Sequence, residues 1–71
     1  MTFNVKIFGE RVKELRNEKG MTTVQLGEAL GVSDATISRW ENSLINPSAD
    51  SVFKIAKYFD APAGYIIGTE N

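Results

Sequence analysis

The stretch from Thr22 to Asn42, TTVQLGEALGVSDATISRWEN, constrains the fold more than any other part of this chain. Thr22 and Gln25 form a Thr-x-x-Gln capping box, which predicts the start of a helix. Gly31 predicts the end of that helix, because the residue after a helix often adopts a positive φ that costs glycine little. Ser33 is then placed to cap a second short helix. The stretch therefore predicts two helices separated by a tight turn.

The apolar residues of this stretch recur at helical spacing. We expect Leu26, Ala29 and Leu30 to form the buried face of the first helix, and Ile37 and Trp40 that of the second. The side chains left to face outward from the second helix are Ser33, Asp34, Ala35, Ser38, Arg39 and Asn42. Two short helices joined in this way make a helix-turn-helix, whose second helix is shaped for the major groove of DNA.

Three further helices are predicted by apolar spacing and by capping residues. The apolar stripes that indicate two of them are Phe8, Val12 and Leu15 before the motif, and Val52, Ile55, Ala56 and Phe59 after it. Gly20 is expected to stop the first helix and Ser48 to cap the fourth. A short fifth helix is expected to have Pro62 in its first turn and to end near Gly68. The predicted fold class is all-α, a compact five-helix domain.

The two ends of the chain are less well determined by the sequence. The alternation of residues 2–7 is typical of a short strand, yet Asn4 could equally cap a helix that starts at Val5. We assign residues 1–7 to an N-terminal arm, residues 8–68 to the domain and residues 69–71 to a tail that we expect to be frayed.

Composition narrows the range of functions. Seventy-one residues allow one small domain with a marginal core, which dimerisation would help to stabilise. The chain has no cysteine and no histidine, so we expect no enzyme, and no cofactor, metal or small-molecule ligand is implied. No apolar run approaches the ~20 residues that span a membrane, and no signal-peptide pattern is present, which favours a cytoplasmic protein. The net charge of −1 lowers the affinity expected for nucleic acid.

The segment LGEALGVSDATISRWEN closely resembles the DNA-binding motif of the Cro/C1-type (XRE) family of bacterial and phage repressors. The resemblance extends from about Phe8 to Gly68. The residues that fall in the family's register are Leu26, Gly31, Val32, Ile37, Trp40 and Glu41. The resemblance implies a lambda-repressor-like domain that acts as a homodimer and as a sequence-specific transcriptional regulator. The implied partner is double-stranded DNA, in the form of a pseudo-palindromic operator.

The resemblance also implies a role for individual residues. The motif is residues 22–42 and the recognition helix about 33–42. The implied base contacts are Ser33, Asp34, Ala35, Ser38 and Arg39. The implied contacts to the DNA backbone are Thr22, Thr23, Thr36, Asn42 and Ser43. Arg16 and Glu41 are implied as a structural ion pair between the first helix and the recognition helix. The implied dimer surface is Leu44, Ile45, Tyr65 and Ile66.

Three departures from the family pattern weaken the expected attraction to phosphate, and a further one affects the geometry of a turn. Thr23 replaces a glutamine that commonly binds phosphate, and Asp34 places a negative charge where glutamine or arginine is common. Leu44 and Ile45 replace a basic pair. Ser43 replaces a common glycine, so we expect the turn there to be strained.

These departures leave a second hypothesis open, that of a protein-interaction module of the antitoxin or antirepressor type. An observation that would favour DNA instead is one positive face shared by the helix N-termini with Lys13, Arg16, Lys19 and Arg39.

Overall fold

The computed structural model describes residues 4–69 and contains five α-helices in that range. They are α1 (Val5–Glu18), α2 (Thr23–Leu30), α3 (Asp34–Glu41), α4 (Ala49–Phe59) and α5 (Ala63–Ile67). The prediction of an all-α, five-helix domain is confirmed. The expectations for residues 1–3 and 70–71 lie outside the described residues.

The first helix begins earlier than the assigned domain boundary. The Asn4 side chain accepts hydrogen bonds from the backbone N–H groups of Lys6 and Ile7, each at 3.1 Å. These are two of the donors that a helix N-terminus leaves without an intrahelical partner. Residues 5–7 are therefore the first turn of α1, and both the strand and the arm are wrong for them.

The two helices of the motif have the predicted caps. Both arms of the Thr22–Gln25 capping box are present, and Gly31 has a φ of 74° in the left-handed region. The Ser33 side chain accepts a hydrogen bond from the N–H of Thr36 at the start of α3. A Cβ atom on Gly27 would lie 2.7 Å from the carbonyl oxygen of Val32, so the backbone of the turn packs directly on α2.

The core gathers the apolar faces of all five helices. Its buried members are Phe8, Val12, Leu26, Leu30, Ile37, Trp40, Val52, Ile55, Phe59 and Ile66. The rings of Phe8 and Trp40 meet edge to face, with centroids 5.8 Å apart, and this contact joins α1 to α3. The expectation that Ala29 is buried is wrong. It lies at the edge of the stripe formed by Leu26 and Leu30, where α2 and α4 leave a groove open to solvent.

The C-terminal part is more ordered than the sequence indicates. Asp60 ends α4 in the left-handed conformation, and Pro62 is the residue that precedes α5 rather than part of its first turn. The N–H of Thr69 donates to the carbonyl oxygen of Gly64 at 2.8 Å. This bond satisfies a carbonyl at the end of α5, so the expected fraying does not apply to Thr69.

Candidate nucleic-acid interface

The helix α3 packs on both α2 and α1, and its contacts with α1 are unusually close. Besides the Phe8–Trp40 contact, Gly9 brings the two backbones together. A Cβ atom at Gly9 would lie 2.5 Å from the carbonyl oxygen of Trp40 and 3.0 Å from that of Glu41. The last turn of α3 therefore packs on the backbone of α1 at a place where only a hydrogen fits.

Arg16 and Glu41 add a two-pronged ion pair between the same helices. Arg16 Nε donates to Glu41 Oε2 at 2.7 Å, and Nη2 donates to Oε1 at 3.0 Å. The side chains are only 14% and 7% exposed. The hydrogen bonds that Arg16 donates to Glu41 raise the pKa of Arg16, against the opposing effect of desolvation, so the guanidinium stays charged.

A third bond of Arg16 connects the pair to α2. Its Nη1 donates to the carbonyl oxygen of Met21 at 2.7 Å, directly before the cap of α2. One guanidinium thus holds α1, the end of α3 and the entrance to α2 in a fixed arrangement. The resemblance implied the pair, and the structure adds the bond to Met21.

The outward face of α3 has one cation. The Arg39 side chain is exposed and makes no hydrogen bond or ion pair within residues 4–69. Asp34 and Ala35 are exposed in the first turn. All three are exposed on α3, the helix for which the resemblance implies contact with DNA.

The other polar residues of α3 are already engaged with one another. The hydroxyl groups of Ser33 and Thr36 lie 2.9 Å apart. Asn42 Nδ2 donates to the carbonyl oxygen of Ser38 at 2.8 Å and approaches Ser38 Oγ at 3.3 Å. These bonds hold the side chains in defined positions and use part of their capacity to bind a ligand.

The N-terminus of α2 offers backbone donors. Thr22 Oγ1 accepts from the N–H of Gln25, and Gln25 Oε1 accepts from the N–H of Thr22 at 2.9 Å. The helix geometry leaves the N–H groups of Thr23 and Val24 free to bind an anion. Sequence reasoning used Gln25 only as a cap, although its Nε2 group has no partner in the described structure. The capping box could have identified Gln25 as a candidate contact residue, because it places the Gln25 amide at the N-terminus of α2.

Ser43 lies in the turn after α3. Its φ of 60° is in the left-handed region, which confirms the expectation of a strained turn for a residue other than glycine. Its Oγ donates to the carbonyl oxygen of Val5 at 3.4 Å, a long bond that ties the turn to the start of α1.

The expected positive face is only partly present. Arg16 is neutralised by Glu41, and Lys19 Nζ lies 5.2 Å from the centroid of the Tyr58 ring. Residues 22–42 contain one basic residue, Arg39, against the acidic residues Glu28, Asp34 and Glu41. Within the motif, the N-termini of α2 and α3 therefore add their partial positive charge to that of Arg39 alone.

The residues implied for a dimer surface have different environments. Leu44 and Ile45 are 71% and 38% exposed. Tyr65 is half-buried, and its ring lies 4.2 Å from Cζ of Arg11. The assignment of Ile66 is wrong, because its side chain is fully buried in the core. On α5, Ile66 faces the core, where this helix packs against α1 and α4.

The sequence interpretation missed an apolar surface around Phe53. Phe53 is 64% exposed on α4. It borders a groove of about 300 Å³ lined by Pro47, Ala49, Val52, Phe53, Ala63 and Ile67. The helical spacing already indicated that Phe53 is exposed, because it falls outside the buried stripe of Val52, Ile55 and Phe59.

Five helices around a capped helix-turn-helix, with α3 anchored on α1 and its outer face open, define the helix-turn-helix class of proteins. A sequence model of that family, described as "Helix-turn-helix", matches residues 12–66. The chain belongs to this family, in its Cro/C1-type (XRE) branch, as the resemblance implied. The matched relatives are transcriptional regulators.

Relatives by sequence include archaeal and phage proteins. The chain is 40% identical over 60 residues to a putative HTH-type transcriptional regulatory protein of Methanocaldococcus jannaschii, covering 84% of this chain and 19% of that protein. It is 28% identical over 64 residues to the repressor protein C2 of Salmonella phage P22, covering 90% of this chain and 30% of the repressor. The chain thus spans about a fifth of the length of the archaeal relative and less than a third of that of the phage repressor.

Solved structures confirm the lambda-repressor-like fold. The P22 c2 repressor, crystallised with a synthetic operator, matches with a TM-score of 0.82 and 27% identity, over 89% of this chain and 96% of that one. A structure of the iron(II) enzyme HppE matches with a TM-score of 0.81 at 23% identity, over 90% of this chain and 37% of that enzyme. The second likeness concerns the fold alone. None of the helices within residues 4–69 is long and apolar enough to cross a membrane.

Proposed function

We propose that this domain binds operator DNA sequence-specifically, with α3 in the major groove. The observation that carries the proposal is the state of Arg39, an exposed and unpaired cation on the outer face of a rigidly anchored recognition helix. A guanidinium in that position can donate two hydrogen bonds to guanine O6 and N7. The likeness to a repressor that was crystallised with its operator supports this reading.

The remaining site residues divide by chemistry. Asp34 can accept a hydrogen bond from the amino group of cytosine or adenine, and Ala35 can contact a thymine methyl group. Ser33 and Ser38 complete the base-facing set. Backbone phosphates would be bound at the N-terminus of α2 by Thr22 and Thr23, with Gln25 added from the structure. Thr36, Asn42 and Ser43 are the other proposed phosphate contacts.

Selection of bound duplexes from a random library tests the proposal directly. We expect enrichment of a pseudo-palindromic sequence that contains a guanine in each half. Circular dichroism of the same sample shows whether the protein is folded. A folded protein that enriches no sequence would contradict DNA recognition and would instead support the protein-interaction module.

Replacing Arg39 by Ala should weaken binding to the selected site by about 1–3 kcal/mol and relax the preference at one base pair. Fluorescence anisotropy at fixed salt measures both effects on a set of single-base variants of the site. Lys54→Ala is the matched control, because it removes one exposed cation from α4 and leaves α3 unchanged. An equal loss for Lys54→Ala, with the same ranking of sites, would mean that Arg39 acts only through its charge.

We also propose that two copies bind together, with half-sites about 34–36 Å apart, as paired helix-turn-helix domains require. The exposed side chains of Leu44 and Ile45 and the groove beside Phe53 support this, since a small monomer gains from covering apolar surface. Tyr65, the remaining proposed dimer residue, lies on α5 with its ring against Arg11 of α1.

Replacing both Leu44 and Ile45 by Lys should weaken cooperative operator binding without unfolding the domain, because both side chains are exposed in the monomer. Sedimentation equilibrium and binding to full and half operators measure the change. Ala29→Lys is the control, as it adds a lysine at an exposed position on α2. If the double variant self-associates as well as the parent protein, the dimer surface lies elsewhere.

A further inference from the structure

A second groove separates α2 from α4, and the DNA-binding proposal does not use it. It is an open groove of about 490 Å³ lined by Ala29, Leu30, Lys54, Lys57 and Tyr58. Ala29 and the edge of Leu30 form an apolar floor, and the ring of Tyr58 forms one wall.

The rim of the groove is basic. Lys54 and Lys57 lie on its α4 side, and Lys19 reaches the same region, with Nζ 5.2 Å from the centroid of the Tyr58 ring. Two of the chain's eight cations therefore line the groove and a third contacts its Tyr58 wall, in a protein whose net charge is −1.

The acidic groups near this rim leave most of that charge uncompensated. Lys54 meets Asp50 only at 4.0 Å, and both side chains are well exposed, so the pair is weak. Lys57 has no ion-pair partner within residues 4–69. Glu28 on α2 and Asp60 at the end of α4 are exposed and form no ion pair with these lysines in the described structure.

We propose that this groove, defined by Ala29, Leu30, Lys54, Lys57 and Tyr58, binds an acidic amphipathic helix of a partner protein. Apolar side chains of the partner would cover the floor, and its carboxylates would meet Lys19, Lys54 and Lys57. This is the helix-in-groove mode, in which residues at i, i+3, i+4 and i+7 act as anchors. Complementary charge would steer the encounter and fix its orientation.

The floor favours protein over DNA as the occupant. Phosphate binds to cations and backbone donors, and contact with Ala29 and the edge of Leu30 does not stabilise it. An apolar helix face is stabilised by that contact, because it removes apolar area from water. The groove also differs from the proposed dimer surface, whose lining has no charged residue.

The test uses a synthetic acidic peptide with Leu at i, i+3, i+4 and i+7 and Glu at the flanking positions, titrated into the isotopically labelled protein. We expect backbone amide signals to shift around Ala29, Leu30 and Tyr58. The double variant Lys54→Glu/Lys57→Glu should bind at least about tenfold more weakly, because charge reversal puts like charges together. Ala29→Glu, an independent change in the floor, should have a similar effect.

The control is Lys6→Glu/Lys13→Glu, which makes the same charge change at exposed positions of α1, outside the groove. It should bind the peptide within a factor of about two of the parent. Equal losses in both double variants would mean that the peptide senses only net charge, and the proposal would be overturned. A peptide whose shifts lie elsewhere would also overturn it.

A third arm separates this proposal from DNA binding. Each variant is titrated with a random-sequence duplex and with the selected operator. If Lys54→Glu/Lys57→Glu loses DNA affinity more than the α1 control does while still binding the peptide normally, the lysines serve phosphate and the groove does not bind a helix. If the protein binds the peptide but selects no operator, the proposal of helix binding holds and the proposal of operator binding fails.

Discussion

Replacing Glu41 by Gln should lower the free energy of unfolding by about 3 kcal/mol, the lower end of the 3–5 kcal/mol typical of a broken buried ion pair. The substitution keeps the shape of the side chain and leaves the charge of Arg16 uncompensated at a site that is only 14% exposed. Domains of this size have a total stability of roughly 0.05–0.15 kcal/mol per residue, so the loss would be a large share of the whole. Urea denaturation followed by circular dichroism measures it.

Two further variants separate the charge from the packing. Glu28→Gln removes a carboxylate from an exposed position on α2 and should change stability by less than about 0.5 kcal/mol. Arg16→Met with Glu41→Leu replaces both members by apolar groups and should recover most of the loss, since a buried pair adds little net stability. A Glu41→Gln variant that unfolds at the same urea concentration as the parent would show that solvent already screens the pair.

Breaking this pair should also affect function. The same guanidinium holds α3 to α1 and bonds to Met21 at the entrance to α2. Under the proposed function, a partly folded Glu41→Gln protein should lose operator affinity in proportion to its unfolded fraction. Lowering the temperature towards the stability maximum should then restore binding.

The features that the sequence predicted well are local ones. Caps such as Thr22, Ser33 and Ser48 act within three or four residues, and the structure has each of them at a helix start. Trp40 is buried as its spacing from Ile37 indicated. The Arg16–Glu41 pair came from the resemblance, since nothing local connects residues 25 positions apart.

The features that the sequence did not predict depend on how helices rotate against each other. The helix α5 has five residues, too few to define a stripe, so the inward position of Ile66 is set by its packing between α1 and α4. Ala29 lies at the margin of the buried stripe of α2, and only the tertiary arrangement decides that it is exposed. The second groove follows from the same fact, because it exists where α2 and α4 diverge.

Gly9 is a different case, since its signal was present and was not used. A glycine in the interior of a helix lowers helix stability by about 1 kcal/mol relative to alanine. A glycine in the middle of α1 therefore indicates a position where a side chain would not fit. The structure supplies one, because the carbonyl oxygens of Trp40 and Glu41 occupy the space that a Cβ would take. The residue sets how closely the recognition helix can approach α1.

Replacing Gly9 by Ala should therefore destabilise the domain by about 1–3 kcal/mol, although alanine is the better helix former. The new Cβ would lie 2.5 Å from backbone oxygen, which cannot move aside as a flexible side chain would, so α3 must shift away from α1. We expect operator affinity to fall even at temperatures where the variant is fully folded, because a shift of α3 misplaces Arg39. Denaturant titration and operator binding measure the two effects separately.

Lys13→Ala, at an exposed position of the same helix, should change stability by less than about 0.5 kcal/mol. A Gly9→Ala protein more stable than the parent would show that α1 and α3 can separate at no cost, and that this contact does not position the recognition helix.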